Sequence, residues 1–241
     1  MKIRNNIPNF ITLLNLISGS AAIIMALSGE LTCASWFIIL AAVFDFCDGL
    51  AARILHAKSS IGAQLDSLAD VVSFGLAPSA IGYQLFKGVN DLPHISAGHF
   101  ELLPFLAFFL ACGSAWRLAK FNTDPEQAEE FKGLPTPAMG LFIAAFPLII
   151  KFQPGTGIAR ALEGSLYLLL AVVLFLSAMM VSNIPMMSLK FRNLRLKENI
   201  FRYILIAAIP VLFVFFRFSA VPLLIFLYIV LSFIGLSIKK S

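Results

Sequence analysis

The stretch FDFCDGLAARILHAKSSIGAQLDSLAD, residues 44–70, places four aspartates inside an otherwise apolar part of the chain. Asp45 and Asp48 are three residues apart, and Asp66 and Asp70 are four apart, so each pair lies on one face of a helix. A basic turn that contains Gly and Ser separates the two pairs. The stretch therefore predicts a helical hairpin in which each helix presents two carboxylates near the same end.

The composition of the whole chain indicates an integral membrane protein. Of its 241 residues, 59% are hydrophobic and 13% are charged, and the mean hydropathy is +0.90. Soluble domains are about 45–50% apolar and about 25% charged. The three Cys lie in apolar surroundings without a CxxC pair, which excludes a disulfide framework and a Cys-built zinc site. The net charge of +5 is attributed to membrane topology and not to nucleic-acid binding.

Eight apolar segments are candidate transmembrane helices, since the bilayer core requires about 20 mainly apolar residues per helix. The segments are roughly residues 10–28, 31–55, 61–86, 101–116, 136–152, 162–182, 203–216 and 219–238. They predict an all-α, polytopic membrane protein with a six-helix catalytic core and two further C-terminal helices. We divide the chain into a membrane domain, residues 1–182, and a cytoplasmic basic loop with a C-terminal helix pair, residues 183–241.

The distribution of positive charge predicts the orientation of these spans. With eight spans, 14 of the 18 Lys and Arg fall on the side that carries both termini and the turn between the aspartate pairs. Because cytoplasmic loops are enriched in Lys and Arg, we expect both termini and the carboxylates at the cytoplasmic side of a cell (inner) membrane.

The four aspartates suggest a site for a divalent cation. An unpaired Asp at the centre of a membrane helix costs about 2.5–3.5 kcal/mol, and the basic residues of the nearby turn cannot neutralise all four. Mg²⁺ prefers oxygen ligands, often carboxylates together with substrate phosphates. The alternative, that an aspartate only caps a helix at the membrane edge, stays open for any one of them.

Residues around the aspartates suit phosphate binding. Gly49 and Ala52 are small enough to let a ligand approach closely. Arg53 follows one helical turn after Gly49 and can bind a phosphate through two hydrogen bonds. Ser59 and Gly62 lie where the second helix begins, so a hydroxyl and backbone N–H groups are available there.

The combined pattern D-x2-D-G-x2-A-R-x8-G-x3-D-x3-D is matched at every fixed position, and it resembles the signature of the CDP-alcohol phosphatidyltransferase family. The resemblance implies a helical, homodimeric membrane enzyme that cleaves a CDP-linked lipid and transfers its phosphatidyl group to an alcohol. It implies that Asp45, Asp48, Asp66 and Asp70 bind Mg²⁺ or Mn²⁺ and that Asp70 is also the base. It further implies a CDP site lined by Gly49, Ala52, Arg53, Ser59 and Gly62. Asn9 and Thr12 either approach the nucleotide from the first helix or only cap that helix.

Four other segments resemble the bacterial and archaeal phosphatidylserine synthases of this family: residues 7–15, 67–78, 117–122 and 131–138. This likeness implies CDP-diacylglycerol and L-serine as substrates. The candidates to bind the acceptor are Arg117, Lys120, Asn122, Lys132 and Thr136. The subfamily more often has Arg at the position of Lys120, and Arg117 and Lys120 could instead be cytoplasmic anchors.

Other functions fit the sequence less well. Glycerol 3-phosphate or inositol phosphate as acceptor would call for more Arg close to Asp70, and residues 71–77 contain none. A cation transporter fits poorly, because the carboxylates crowd one edge of the membrane and are joined by Arg53. An intramembrane aspartyl protease is disfavoured, because no aspartate lies in a G-x-G-D context.

Overall fold

The computed structural model describes residues 3–57, 59–89, 96–97, 100–123, 132–187 and 195–240, which are almost entirely helical, as predicted. A π-helical turn spans Val71–Leu76, and 3-10 turns span Leu103–Phe108 and Arg217–Ser219. A short antiparallel hairpin pairs β1 (Ser96–Ala97) with β2 (Phe100–Glu101). The helices are α1 (Ile3–Leu27), α2 (Leu31–Ile54), α3 (Ser60–Asp70), α4 (Ala77–Lys87), α5 (Phe109–Thr123), α6 (Thr136–Phe152), α7 (Gly157–Gly164), α8 (Leu166–Val181), α9 (Leu196–Phe216) and α10 (Ala220–Lys240).

The helices overlap the predicted spans, but α1 and α9 begin seven residues earlier than predicted and α5 ends seven residues later. A further difference concerns α7 and α8. The predicted span of residues 162–182 begins inside α7, and α8 starts only after Ser165, whose side chain accepts a hydrogen bond from the Leu168 N–H. This cap satisfies a backbone donor at the start of α8 and so separates the two helices.

Two helical segments of the described chain are long and apolar enough to cross a membrane by themselves, Asn6–Leu27 and Asn199–Gly235. The bent pair α6 and α7, whose axes differ by 112°, adds a third if it counts as one span. Large apolar side chains are also exposed along many helices, for example Phe215 at 76%, as expected for lipid-facing surfaces. The protein is therefore a helical membrane protein, and the count of eight spans stays a prediction.

The π turn is the point where the helices of the core converge. It packs against α1, α5 and α6, and glycines make each approach close. Gly19 of α1 lies against Ser73, Gly75 of the turn lies against Ser114 of α5, and Gly140 of α6 lies against Phe74. Small residues let membrane helices pack backbone against backbone.

Pro78 gives a physical reason for this turn. A proline inside an α-helix lacks an N–H, and its ring clashes with the carbonyl four residues earlier. Immediately before it, the Ala77 N–H bonds to the carbonyl of Val72, five residues back, so the helix is locally wider. The π turn lets α3 and α4 continue as one rod that connects the carboxylates to the core.

The C-terminal helices pack on the same body. α9 and α10 pack against each other, and α10 also contacts α6. The side chain of Gln153 secures the junction between them, since Nε2 donates to the Phe216 carbonyl at 3.1 Å and Oε1 accepts from the Ser219 N–H at 3.0 Å. The division of the chain into residues 1–182 and 183–241 stays a prediction.

Candidate active site

The structure brings three aspartates together at the ends of α2 and α3. One carboxylate oxygen from each of Asp45, Asp48 and Asp66 lies within 4.8 Å of those of the other two. Asp48 is buried, and Asp45 and Asp66 are half-buried. The predicted helical hairpin is therefore confirmed, and its two helices face each other through their acidic side chains.

Asp70 lies one turn beyond Asp66 and belongs to the same acidic region. It is buried, and it is close enough to interact electrostatically with Asp45, Asp66 and Asp48. It is not a member of the compact group of three. Its Oδ1 instead accepts a hydrogen bond from the Asn15 Nδ2 at 3.3 Å.

One polar face of α1 supports the aspartates. The Thr12 hydroxyl donates to Asp48 Oδ2 at 2.7 Å and also lies 3.0 Å from the Pro8 carbonyl oxygen. Asn15, one turn later, contacts Asp70, and its own carbonyl accepts from the Ser73 hydroxyl at 3.0 Å. Thr12 and Asn15 therefore orient one carboxylate on each helix of the hairpin.

A cavity of about 310 Å³ opens beside Asp48 and Asp66. It is large enough to hold part of a nucleotide headgroup, and its wall is built from small residues and a few polar ones. The Ser59 hydroxyl accepts a hydrogen bond from the Gly62 N–H at 2.9 Å, which caps α3 at the cavity wall. The residues that line it are Pro8, Asn9, Thr12, Asp48, Gly49, Ala52, Ala57, Ser59, Gly62, Ala63 and Asp66.

Six of the seven residues predicted for the CDP site line this cavity, and Arg53 does not. The Arg53 side chain is exposed, and its Nε donates to the Gly49 carbonyl at 3.0 Å. Gly62 and Asn9 lie close together in the cavity wall: a Cβ at Gly62 would lie 2.9 Å from Asn9 Oδ1. Asn9 and Thr12 thus face the predicted nucleotide site from α1.

The group of three carboxylates fits a divalent cation. Its oxygens are close enough to share one ion, and oxygen donors are the ligands that Mg²⁺ and Mn²⁺ prefer. The side-chain hydrogen bonds to Asp48 and Asp70 come from the neutral groups of Thr12 and Asn15. Asp45, Asp48 and Asp66 are therefore the residues that would hold the metal.

Comparison with known proteins gives the same family as the sequence motif. The family model described as CDP-alcohol phosphatidyltransferase matches residues 5–189. The chain belongs to the CDP-alcohol phosphatidyltransferase family. Members of this family generally depend on a divalent metal.

Several curated relatives in this family carry the name CDP-diacylglycerol–serine O-phosphatidyltransferase. The protein from Helicobacter pylori (strain 26695) is 32% identical over 202 residues, which cover 83% of this chain and 77% of the relative. The Bacillus subtilis protein is 39% identical over 137 residues, covering 57% of this chain and 72% of the relative. The Saccharomyces cerevisiae protein is 38% identical over 149 residues, covering 55% of this chain and 50% of the relative.

The residues predicted to bind the acceptor alcohol take part in several separate contacts. Arg117 is buried in α5, and its Nη1 donates to the Thr136 hydroxyl at 3.2 Å. Lys120 Nζ donates to Asn183 Oδ1, and Asn122 Nδ2 donates to the Ser67 hydroxyl at 2.9 Å.

Lys132, the remaining acceptor candidate, pairs through its backbone with Pro185. Of the five candidates, only Arg117 and Thr136 are joined to each other by a hydrogen bond that the described residues show. This buried pair is therefore the best-defined part of the predicted acceptor site in this phosphatidyltransferase.

Asn15 is the site residue that the sequence reasoning missed. It is fully buried in an apolar helix and contacts Asp70. A signal was present, because Asn9, Thr12 and Asn15 recur every three residues and so share a face of α1. Polar residues inside membrane helices are functional candidates by default.

Proposed function

We propose that this membrane enzyme transfers the phosphatidyl group of CDP-diacylglycerol to L-serine, giving phosphatidylserine and CMP. The observation that carries the proposal is the group of Asp45, Asp48 and Asp66 beside a cavity lined by the family's nucleotide-site residues. The names of the relatives support serine as the acceptor.

Asp70 is proposed as the general base. It lies one helical turn from Asp66, and Asn15 holds one of its oxygens by a hydrogen bond. The carboxylate accepts the proton of the serine hydroxyl as the serine oxygen forms its bond to the phosphorus that carries the diacylglycerol. The bond from that phosphorus to the oxygen of CMP breaks, and CMP leaves with the bonding electrons.

Asp45, Asp48 and Asp66 would hold Mg²⁺ or Mn²⁺, which supplies charge neutralisation at the diphosphate when it is bound. Thr12 keeps the Asp48 carboxylate in place through its 2.7 Å hydrogen bond. Asn9, Ser59 and Gly62 form the wall against which the cytidine nucleotide packs. Arg53, which is exposed beside Gly49, can turn toward a phosphate once the lipid is bound.

We further propose that the site faces the cytoplasm at the inner membrane, that both termini lie on that side, and that the protein is a homodimer. The charge distribution supports the orientation, because 14 of the 18 Lys and Arg fall on one side in the eight-span arrangement. A site at that boundary lets the polar CDP group stay in water while the acyl chains stay in the bilayer.

The decisive experiment supplies CDP-diacylglycerol with a panel of labelled alcohols to the purified protein. We expect labelled serine in the chloroform-soluble lipid, with one CMP released per lipid formed and no reaction in the presence of EDTA. Use of glycerol 3-phosphate or inositol phosphate in place of serine would show that the acceptor assignment is wrong. If no alcohol releases CMP with Mg²⁺ or Mn²⁺, the enzyme assignment fails.

A further inference from the structure

α10 is tied to the loop after α8 through both backbone groups of one residue. The Tyr228 hydroxyl donates to the Met187 carbonyl at 3.0 Å, and the Met187 N–H donates to Ser232 Oγ at 3.1 Å. Ser232 in turn donates to the Tyr228 carbonyl at 2.7 Å. Tyr228 and Ser232 are both buried. α10 therefore fixes the position of Met187.

The loop that contains Met187 is bonded to the segment that leads into α6. The Gly133 N–H donates to the Ile184 carbonyl at 2.9 Å, and the Leu134 N–H donates to the Met179 carbonyl at 3.0 Å. Gly133 has a φ of +75°, and a Cβ there would lie 2.5 Å from the Met180 carbonyl oxygen. The two segments are thus held together through backbone groups, at a distance that only glycine permits.

The segment that follows Gly133 carries Thr136, the hydrogen-bond partner of Arg117. Arg117 is only 7% exposed. It lies within electrostatic range of both Asp70 and Tyr228. A set of contacts therefore runs from α10 through Met187 and Gly133 to Thr136 and the buried guanidinium of Arg117, which lies within electrostatic range of the proposed base.

We infer that Tyr228 and Ser232 of α10 are positioning residues for the acceptor, acting through Met187 and Thr136 on Arg117. The inference rests on the proposed function and on Arg117, an acceptor candidate, as the group that binds the serine carboxylate. A guanidinium binds a carboxylate best when its planar donors are held in one orientation. On this basis the C-terminal helix belongs to the active site and is more than a membrane anchor.

The test compares Tyr228→Phe and Ser232→Ala with the wild type in steady-state phosphatidylserine synthesis. Each variant removes one hydrogen bond to Met187, and a loss of about three- to tenfold in affinity is typical of one hydrogen bond. We expect the KM for serine to rise by about that factor in each variant. The KM for CDP-diacylglycerol should stay within about twofold of the wild type, because neither residue lines the nucleotide cavity.

Tyr167→Phe is the matched control, since Tyr167 is 83% exposed on α8, and it should leave both KM values unchanged. A purely structural role of α10 predicts a lower melting temperature and kcat with an unchanged KM for serine, and that result would overturn the inference. Should Tyr228→Phe not fold, Ser232→Ala decides on the same measurement. If the wild type makes no phosphatidylserine, the proposed function is wrong. The variants and the wild type are then compared by the KM for the alcohol that the enzyme does use.

Discussion

The four aspartates differ in their surroundings, and the difference supports the separate roles that we propose for them. Asp45, Asp48 and Asp66 have oxygens within 4.8 Å of one another. Asp70 lies outside that group of three, although its carboxyl is within hydrogen-bonding distance of Asp45, and it accepts a hydrogen bond from Asn15. Three close carboxylates suit a shared cation, whereas a single oriented carboxylate suits proton transfer.

We expect Asp66→Asn to lower turnover by more than about 100-fold, because loss of even an outer-shell partner of a metal typically costs 10–100-fold. The substitution keeps the shape of the side chain and removes its charge. CMP release is measured over a range of Mg²⁺ concentrations, together with the melting temperature in detergent. Glu163→Gln is the control, since Glu163 is exposed on α7. Near-normal turnover of a folded Asp66→Asn protein would contradict the assignment.

Asp70→Asn should separate catalysis from binding. A positioned base typically contributes about 10²–10⁴-fold to the rate, so turnover should fall within that range. Binding of CDP-diacylglycerol should persist, because Asp45, Asp48 and Asp66 remain. Equilibrium binding of the lipid nucleotide and single-turnover CMP release measure the two effects. A parallel loss of binding and turnover would mean that Asp70 is mainly a metal ligand.

At the scale of single elements, the close packing of α1 on the π turn has a direct test. A Cβ added at Gly19 would lie 2.6 Å from the Ser73 Cα, and the backbone there cannot move away without disturbing Asn15. Overpacking of this kind costs about 1–3 kcal/mol. Gly19→Ala should therefore lower the melting temperature in detergent and reduce activity through Asn15 and Asp70.

Gly164→Ala is the matched control for that substitution. Gly164 is also helical, and nothing lies within 4 Å of a Cβ placed there. Ala is favoured over Gly in helices by about 1 kcal/mol, so this variant should be as stable as the wild type or slightly more so. Equal melting temperatures for Gly19→Ala and Gly164→Ala would show that the contact at Ser73 tolerates a methyl group.

The elements show what could and could not be read from the sequence. Apolar segments and their polar breaks located the helices, and the spacing of the aspartates located the acidic hairpin, because both patterns depend on neighbours along one helix. The spacing of Asn15 from Thr12 places both on one face of α1, but its contact with Asp70, 55 residues away, could not be read from that spacing. The tie between Tyr228 and Met187 spans 41 residues. Contacts of this kind depend on how helices cross, which no local period encodes.

At the scale of the whole molecule, the rod formed by α3, the π turn and α4 provides a test of topology. It runs from Ser60 to Lys87; at about 1.5 Å per residue it is longer than the roughly 30 Å of the bilayer core. In a background with Cys33, Cys47 and Cys112 replaced, Ser60→Cys and Lys87→Cys should react with impermeant reagents from opposite sides. Cytoplasmic labelling of Ser60→Cys is expected, and labelling of both variants from one side would refute the proposed topology.

The π turn also determines which face of α4 points toward the core. It holds one residue more than an α-helical segment of the same rise, as a one-residue insertion would. Deleting a single codon within Val71–Leu76 would close the turn to α-helical winding and leave α4 near its present rotation about the helix axis. A single-codon deletion just after the turn would instead rotate the rest of α4 by about 100°, so that its buried face, with Ile81 and Phe86, would turn toward lipid while the carboxylates stayed in place. Mutational scanning by single-codon deletion should thus find the six-residue turn more tolerant than the first residues of α4.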